Sequence, residues 1–244
     1  MQLIFIIMRP SNRTPSQLRQ ITIETNVNKH AEGSCLVKFG DTHVLCLASL
    51  EERVPPFLRN KGTGWVSAEY SMLPRATNSR NSRDNNGKPN GRALEIQRLI
   101  ARSLRSTIDL SKLGERQITI DCDVLQADGG TRCAAITGGY VALALAIKQM
   151  LDKKIIKQNP LIGEVCAISC GVYKGQIVAD LDYLEDSQCE VDANFVINQN
   201  FDLIEVQGTA EKGAMSFEQL SKMYDYAKKS AEEIFVIQRK AIAF

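Results

Sequence analysis

The stretch Asp121-Cys-Asp-Val-Leu-Gln-Ala-Asp-Gly-Gly-Thr-Arg132, with the apolar run that follows it as far as Met150, decides the fold. Between 117 and 125, Ile118, Ile120, Cys122 and Val124 alternate with Thr119, Asp121 and Asp123, the period of a strand. A turn over 127–132 ends it, and the spacing predicts a helix from about 133 to 150. That helix is apolar nearly all round, so it belongs at the centre of the molecule.

Working outward, a second helix is predicted over 93–105. It carries Ile96, Leu99, Ile100 and Leu104 on one face and mostly Glu95, Arg98, Arg102 and Arg105 on the other. Strands are predicted over 20–24, 34–39 and 43–50, the last two separated by the turn Gly40-Asp41. Past the central helix the theme repeats, with strands near 164–171, 176–182, 189–197 and 202–208. A last helix starts at Ser216, where Ser216 and Gln219 form a capping box. Its apolar stripe is Phe217, Leu220, Tyr224, Ala227, Ala231 and Ile234. Strands then helices, twice over, predict an α+β architecture of duplicated layers. No Pro/Ser-rich linker divides the chain, so 8–244 reads as a single domain preceded by a short extension, 1–7.

The 244 residues are 44% hydrophobic and 24% charged, with a formal net charge of +2. These are ordinary values for a globular protein, so any claim of nucleic-acid binding must rest on where charge sits. The seven cysteines are odd in number, form no CxxC pair and fall in apolar segments; there are only two histidines, His30 and His43. This argues against a structural zinc site and for buried reduced thiols, hence a reducing, cytoplasmic setting. The opening MQLIFII has no basic flank and runs directly into Met8-Arg9-Pro10. It reads as a short strand or an upstream start rather than a leader, and no membrane span is expected.

Three segments could carry chemistry. Gly129-Gly130-Thr131-Arg132 lies where a strand turns into the buried helix, so free backbone N–H groups, the Thr131 hydroxyl and the Arg132 fork suit an anion. A tight turn with a helix cap is the other reading. Gly91-Arg92 is a parallel case, a cation at the positive end of a helix, relieved if an anion sits between. The polar loop 75–92 holds five basic side chains (Arg75, Arg80, Arg83, Lys88, Arg92) against one acid, Asp84. It is thus +4 in a chain of net +2, and Arg9, Arg13 and Arg19 add further basic residues near the start. Such a loop suits single-stranded nucleic acid, or is simply solvated. Finally, Asp180, Asp182, Glu185, Asp186, Glu190 and Asp192 cluster around a predicted turn. Strand alternation puts Asp180 and Asp182 on one face, and a turn brings Asp186 to Asp192. This is a hard-cation site of the magnesium or manganese kind, or a plain acidic turn.

Taken together, these segments resemble the ribonuclease PH family over nearly the whole chain. The matching stretches are Arg9-Pro-Ser11, Ala31-Glu-Gly-Ser34, Gly64-Trp-Val-Ser-Ala-Glu-Tyr-Ser-Met-Leu-Pro-Arg75, Gly91-Arg92 with Glu95-Ile-Gln-Arg-Leu-Ile100, the quoted Asp121–Arg132 stretch, and Asp180-Leu-Asp-Tyr-Leu-Glu-Asp186. The resemblance implies the family's fold, with mixed sheets and packed helices, and a phosphorolytic 3′-to-5′ exoribonuclease that matures transfer RNA ends and releases nucleoside diphosphates. It implies a homohexameric ring, a trimer of dimers, with RNA entering its channel. It also implies a phosphate site on Arg92, Gly130, Thr131 and Arg132, and catalytic carboxylates at Asp186 and Asp192, with Asp180 nearby. Asp186 and Asp192 are the expected ligands of Mg2+ or Mn2+, and Arg75, Arg80 and Arg83 match the channel arginines. The chain departs from the pattern in residues 1–7 and at Cys133, where a small hydroxylated residue is common.

The chemistry implied is an in-line displacement in which inorganic phosphate, held by the arginines and the glycine turn, attacks the terminal phosphodiester. Two other readings compete. One is a non-catalytic RNA-binding ring subunit; the other is a hydrolytic metal-dependent nuclease, which leaves the arginine-rich anion site without a role.

Overall fold

The computed structural model describes residues 9–82 and 90–243, so residues 1–7 and Arg83 lie outside the described residues. Strands β1 (Ile21–Thr25), β2 (Gly33–Phe39), β3 (Thr42–Glu51), β4 (Trp65–Met72) and β5 (Gln117–Gln126) form a sheet in the order β1-β2-β3-β5-β4. Only β4 and β5 run parallel. Parallel neighbours need a crossover, and the segment containing α1 (Gly91–Arg105) and the one-turn α2 (Leu110–Leu113) provides it.

The second half builds an antiparallel sheet, β7-β6-β8-β9, from β6 (Val165–Tyr173), β7 (Gln176–Ala179), β8 (Val191–Asn198) and β9 (Leu203–Ala210). Mixed pairing is therefore confined to the first sheet. The short α4 (Tyr183–Asp186) bridges β7 and β8, and α5 (Phe217–Ile242) packs on β6.

Joining the layers is α3 (Thr131–Asp152), which packs against β2 and β3 of one sheet and β6 of the other. Its sequence is apolar on every side because it faces protein on nearly every side. By length and composition α3 could cross a membrane, but 78% of its most apolar window is buried inside the fold, as in a core helix. All seven cysteines are free and buried, as the sequence led us to expect.

Where α3 meets β2 the contact is backbone to backbone. A Cβ on Gly33 would lie 2.1 Å from the Ala142 carbonyl oxygen and 2.6 Å from the Ala146 nitrogen. Neither atom can move without breaking the helix. Gly33→Ala should therefore destabilise the protein by about 2–3 kcal/mol or more, lowering Tm by about 5–10 °C. A calorimetric Tm within a degree or two of the parent would contradict this packing.

Two expectations change. The strand expected over 176–182 stops at Ala179, because Asp180 adopts a left-handed φ of +55°, so Asp180 and Asp182 do not share a strand face. Phe217, expected in the apolar stripe of the last helix, is 83% exposed, while Met223 is fully buried; in the first turn of α5 only Leu220 packs against the core.

Candidate active site

β5 leads into the turn 127–130, and the turn into α3. Gly129 and Gly130 both have positive φ, +75° and +67°, which side-chain-bearing residues rarely adopt. Gly129 also lacks room for a side chain: a Cβ there would sit 2.7 Å from the Leu181 carbonyl oxygen. This close approach sets the glycine turn against the acidic segment 181–186. Gly130 is the N-cap of α3 and offers no side-chain hydrogen bond, so the N-cap leaves the first amides of the helix uncapped. The helix begins at Thr131, two residues earlier than the sequence suggested, which puts Thr131 and Arg132 in its first turn. The Tyr70 hydroxyl, from β4, donates to Thr131 Oγ1 at 2.9 Å, so the Thr131 proton is free to point elsewhere.

Arg132 is braced from both halves of the fold. Its Nη1 donates to Glu95 Oε1 of α1 at 3.3 Å and to Gln207 Oε1 of β9, while Gln207 Nε2 donates to Glu95 at 2.9 Å. Arg92 stands in the first turn of α1, where Asn90 caps its backbone N–H. Arg92, Arg132, Gly129, Gly130 and Thr131 all line one open cleft of about 1460 Å³.

Asp186 and Asp192 line the same cleft, with Asn194 beside them. Asp186 closes α4 and Asp192 is the second residue of β8, paired with Gly171 and Thr209. Burial pushes the Asp192 carboxyl up to about 6, helped by the like charge of Asp186 and opposed by Arg132 and Arg92. Asp186 is also raised by burial, against the pull of Arg92, Arg132 and Arg19. Two arginines thus face two carboxylates across one space. Among the described residues no group of three or more His, Cys, Asp or Glu side chains could hold a metal. A pair of carboxylates nevertheless fits Mg2+ or Mn2+, which keeps waters and takes substrate phosphate oxygens as its other ligands.

Asp180 is elsewhere. It is 1% exposed, does not line the cleft, and its carboxylate accepts from Arg19 N at 2.7 Å, Arg19 Nη2 at 2.7 Å and Arg13 Nη1 at 3.2 Å. The acidic cluster therefore divides, with Asp180, Asp182 and Glu185 turned inward and Asp186 and Asp192 turned to the cleft. Arg9, Arg13 and Arg19, read from the sequence as extra basic surface, are the internal partners of that inward set. Buried carboxylates demand such partners, and these arginines satisfy them.

Burial alone would raise the Asp180 carboxyl, but the Arg19 and Arg13 guanidiniums and the hydrogen bonds from Arg19 outweigh it, so its pKa falls on folding. Such a group stabilises the native state above its unfolded pKa of about 3.9, and the contribution is lost as pH falls through the lower native value. Asp180→Asn should cost about 3–5 kcal/mol at pH 7, since it strands buried guanidinium charge. Its Tm should also decline less than the parent's between pH 4 and 2. Parallel Tm–pH curves for the two proteins would refute this.

Of the loop arginines, Arg75 and Arg80 are exposed, and Arg83 lies outside the described residues. Thr77, Asn78, Ser79, Asn81 and Ser82 of the same loop form a wall of the cleft, so Arg75 and Arg80 flank it. The sequence reading missed Tyr70, Gln207 and Asn194. Tyr70 had a signal in the alternation of Val66, Ala68 and Tyr70, but Gln207 and Asn194 are brought in only by strand pairing.

The fold and cleft define an α+β protein in which two arginines and a glycine turn share one cleft with a pair of carboxylates. The model of the 3′ exoribonuclease family matches residues 17–149 with its domain 1 and 163–230 with its domain 2. The chain is 56% identical over 236 residues to ribonuclease PH of Caulobacter vibrioides, covering 96% of this chain and 99% of that one. It is 55% identical over 237 residues to ribonuclease PH of Roseobacter denitrificans, covering 97% and 100%. The chain belongs to the 3′ exoribonuclease family. Among solved structures, rice (Oryza sativa) Rrp46 superposes with a TM-score of 0.79 at 22% identity, covering 97% of this chain and 100% of that one. The Archaeoglobus fulgidus exosome with RNA bound to the active site gives 0.77 at 19%, covering 93% and 91%. At these identities the two share the fold.

Proposed function

We propose that this protein is a phosphorolytic 3′-to-5′ exoribonuclease that trims the 3′ ends of transfer RNA precursors with inorganic phosphate and releases nucleoside diphosphates. The observation that carries the reading is the single cleft in which Arg92, Arg132 and the glycine turn face Asp186 and Asp192. The anion side has a role in phosphorolysis and none in hydrolysis. Incubation with RNA labelled within its 3′-terminal nucleotides, with and without phosphate, tests it. Diphosphates formed only with phosphate are expected; monophosphates would mean hydrolysis, and no product a binding subunit.

Arg92 and Arg132 hold the attacking phosphate with the Thr131 hydroxyl and the amides at Gly130–Arg132, fixing one oxygen in line with the terminal phosphodiester. Tyr70 orients Thr131 by donating to its oxygen, which leaves the threonine proton for the anion. Asp186 and Asp192 would hold Mg2+ or Mn2+, which when bound supplies positive charge to the phosphoryl oxygens and the leaving 3′ oxygen. Residues 8–244 act as one unit, because the glycine turn of the first half and the acids of the second line one cleft.

Arg75, Arg80 and Arg83 guide the RNA strand, and six copies in a ring, a trimer of dimers in the cytoplasm, sum their fields around one opening. Neutralising the three should flatten the salt dependence of RNA binding, by about 0.7 in log–log slope for each phosphate no longer neutralised. Phosphate use on a short oligonucleotide should hardly change. An unaltered slope, or a fully active monomer on transfer RNA precursors, would contradict the guiding role.

A further inference from the structure

Arg9, a fully bonded side chain near the cleft, does not line it. Arg9 is 2% exposed. Its Nε and Nη2 grip Glu185 Oε1 and Oε2 at 2.5 and 2.6 Å, and Nη2 also donates to the Asp180 carbonyl at 3.0 Å. Its Nη1 donates to the carbonyls of Thr14, Pro15 and Gln17 at 3.2, 3.4 and 3.3 Å, so the segment 9–17 is wound around this one guanidinium. The planar fork makes this possible, and lysine could not reproduce it.

Glu185 is fully buried and belongs to the capping box of α4: its carboxylate accepts from Asp182 N at 3.2 Å, while Asp182 Oδ1 accepts from Glu185 N at 3.0 Å. α4 has four residues, too few to hold a helical turn without outside support. Support comes from Arg9 and, across the same carboxylates, from Arg13 at 3.2 Å to Glu185 and 3.4 Å to Asp182. The residue after Glu185 is Asp186, whose N–H donates to the Asp182 carbonyl at 2.8 Å and whose side chain faces the cleft.

We infer that Arg9 is a positioning residue for Asp186: by gripping Glu185 on the buried side of α4, it presets the carboxylate that the same turn presents to the cleft opposite Asp192. This rests on the role given to Asp186 under the proposed function. Arg9 hydrogen-bonds to neither the glycine turn nor Arg92 and Arg132, and the glycine turn meets the acidic segment at Leu181–Tyr183, ahead of Glu185 and Asp186, so the loss of Arg9 should act mainly on the carboxylate side of the site.

The test is Arg9→Lys in the full-length protein, read by Mn2+ binding in the absence of RNA (EPR titration), by kcat, by the KM for phosphate and by circular dichroism. With the fold retained, Mn2+ binding should weaken about 10-fold and kcat fall about 10- to 100-fold, the scale of lost outer-shell support. The phosphate KM should stay within about two-fold, because the arginine side of the cleft is untouched. Unchanged Mn2+ binding, or a phosphate KM that worsens as much as Mn2+ binding does, would overturn the inference. If Arg9→Lys does not fold, Arg9→Met with Glu185→Leu replaces the pair by apolar side chains of similar size, an exchange that commonly preserves stability. The same split should appear there. Normal Mn2+ binding in that double variant, or failure of both proteins to fold, would make the pair purely structural and defeat the inference. Asp186→Asn separates the two levels. If it binds Mn2+ and turns over like the parent, the reading of Asp186 itself fails; if it loses both while the Arg9 variants lose neither, only the Arg9 inference fails.

Discussion

Arg132→Ala is expected to lower kcat/KM for phosphate by about 10²–10³-fold, the loss seen when a fixed donor is taken from a charged transition state. The side chain is only 17% exposed and is held by Glu95 and Gln207, so its remaining N–H groups are aimed before phosphate arrives. Preset donors contribute most, because no reorganisation is needed during reaction. Lysine should rescue little, since a point charge cannot bridge two phosphate oxygens and keep both braces. RNA binding should survive, as the loop arginines are untouched. Arg92→Ala should act in the same direction but less, because Arg92 is exposed in the first turn of α1. Steady-state kinetics with phosphate as the varied substrate decides the matter. Equal rates for Arg132→Ala and the parent at sub-saturating phosphate would remove Arg132 from the site.

Asp192→Asn should be as damaging to activity, about 10²–10³-fold in kcat, by loss of several kcal/mol of charge stabilisation at the reacting phosphoryl group. Its effect on stability should have the opposite sign. Burial and the charge of Asp186 raise the Asp192 carboxyl to about 6. An acid whose pKa rises on folding destabilises the native state above that pKa, and the penalty fades as pH falls toward the unfolded value of about 3.9. In EDTA, Asp192→Asn should therefore melt no lower than the parent at pH 7.5, and its advantage should shrink by pH 5. Asp186→Asn should follow the same pattern. Loss of activity together with a large fall in Tm would mean that these carboxylates hold the fold rather than serve the reaction. A function that costs stability is what a reactive carboxylate pair should show.

Local pattern carried much of the fold. The alternation over 117–125 became β5, the all-round apolar run became α3, and the Ser216–Gln219 capping box began α5 as read. Each signal lies within a few residues, and a period of 2 or 3.6 needs no knowledge of the partner. The glycine turn was legible for the same reason, since two adjacent glycines before a helix announce a backbone that other residues avoid, and both have positive φ.

Local pattern was enough for most of the elements, for their order and for the short motifs at their ends (Gly129-Gly130-Thr131-Arg132, Gly91-Arg92 and the acids from Asp180 to Asp192), but not for β4, α2 or α4. Tertiary contacts alone sort the charges into those buried in ion pairs and those left lining the cleft. In the sequence Arg9, Arg13 and Arg19 look like Arg92 and Arg132, and Asp180 looks like Asp186. In the fold, Arg19 closes on Asp180 across 161 positions and Arg9 on Glu185 across 176, and these carboxylates vanish from the surface. Asp186 and Asp192 stay in the cleft, which Arg92 and Arg132 also line. A charge takes its role from the dielectric around it and the partner it meets, and both are set by contacts between distant segments. No local period encodes them.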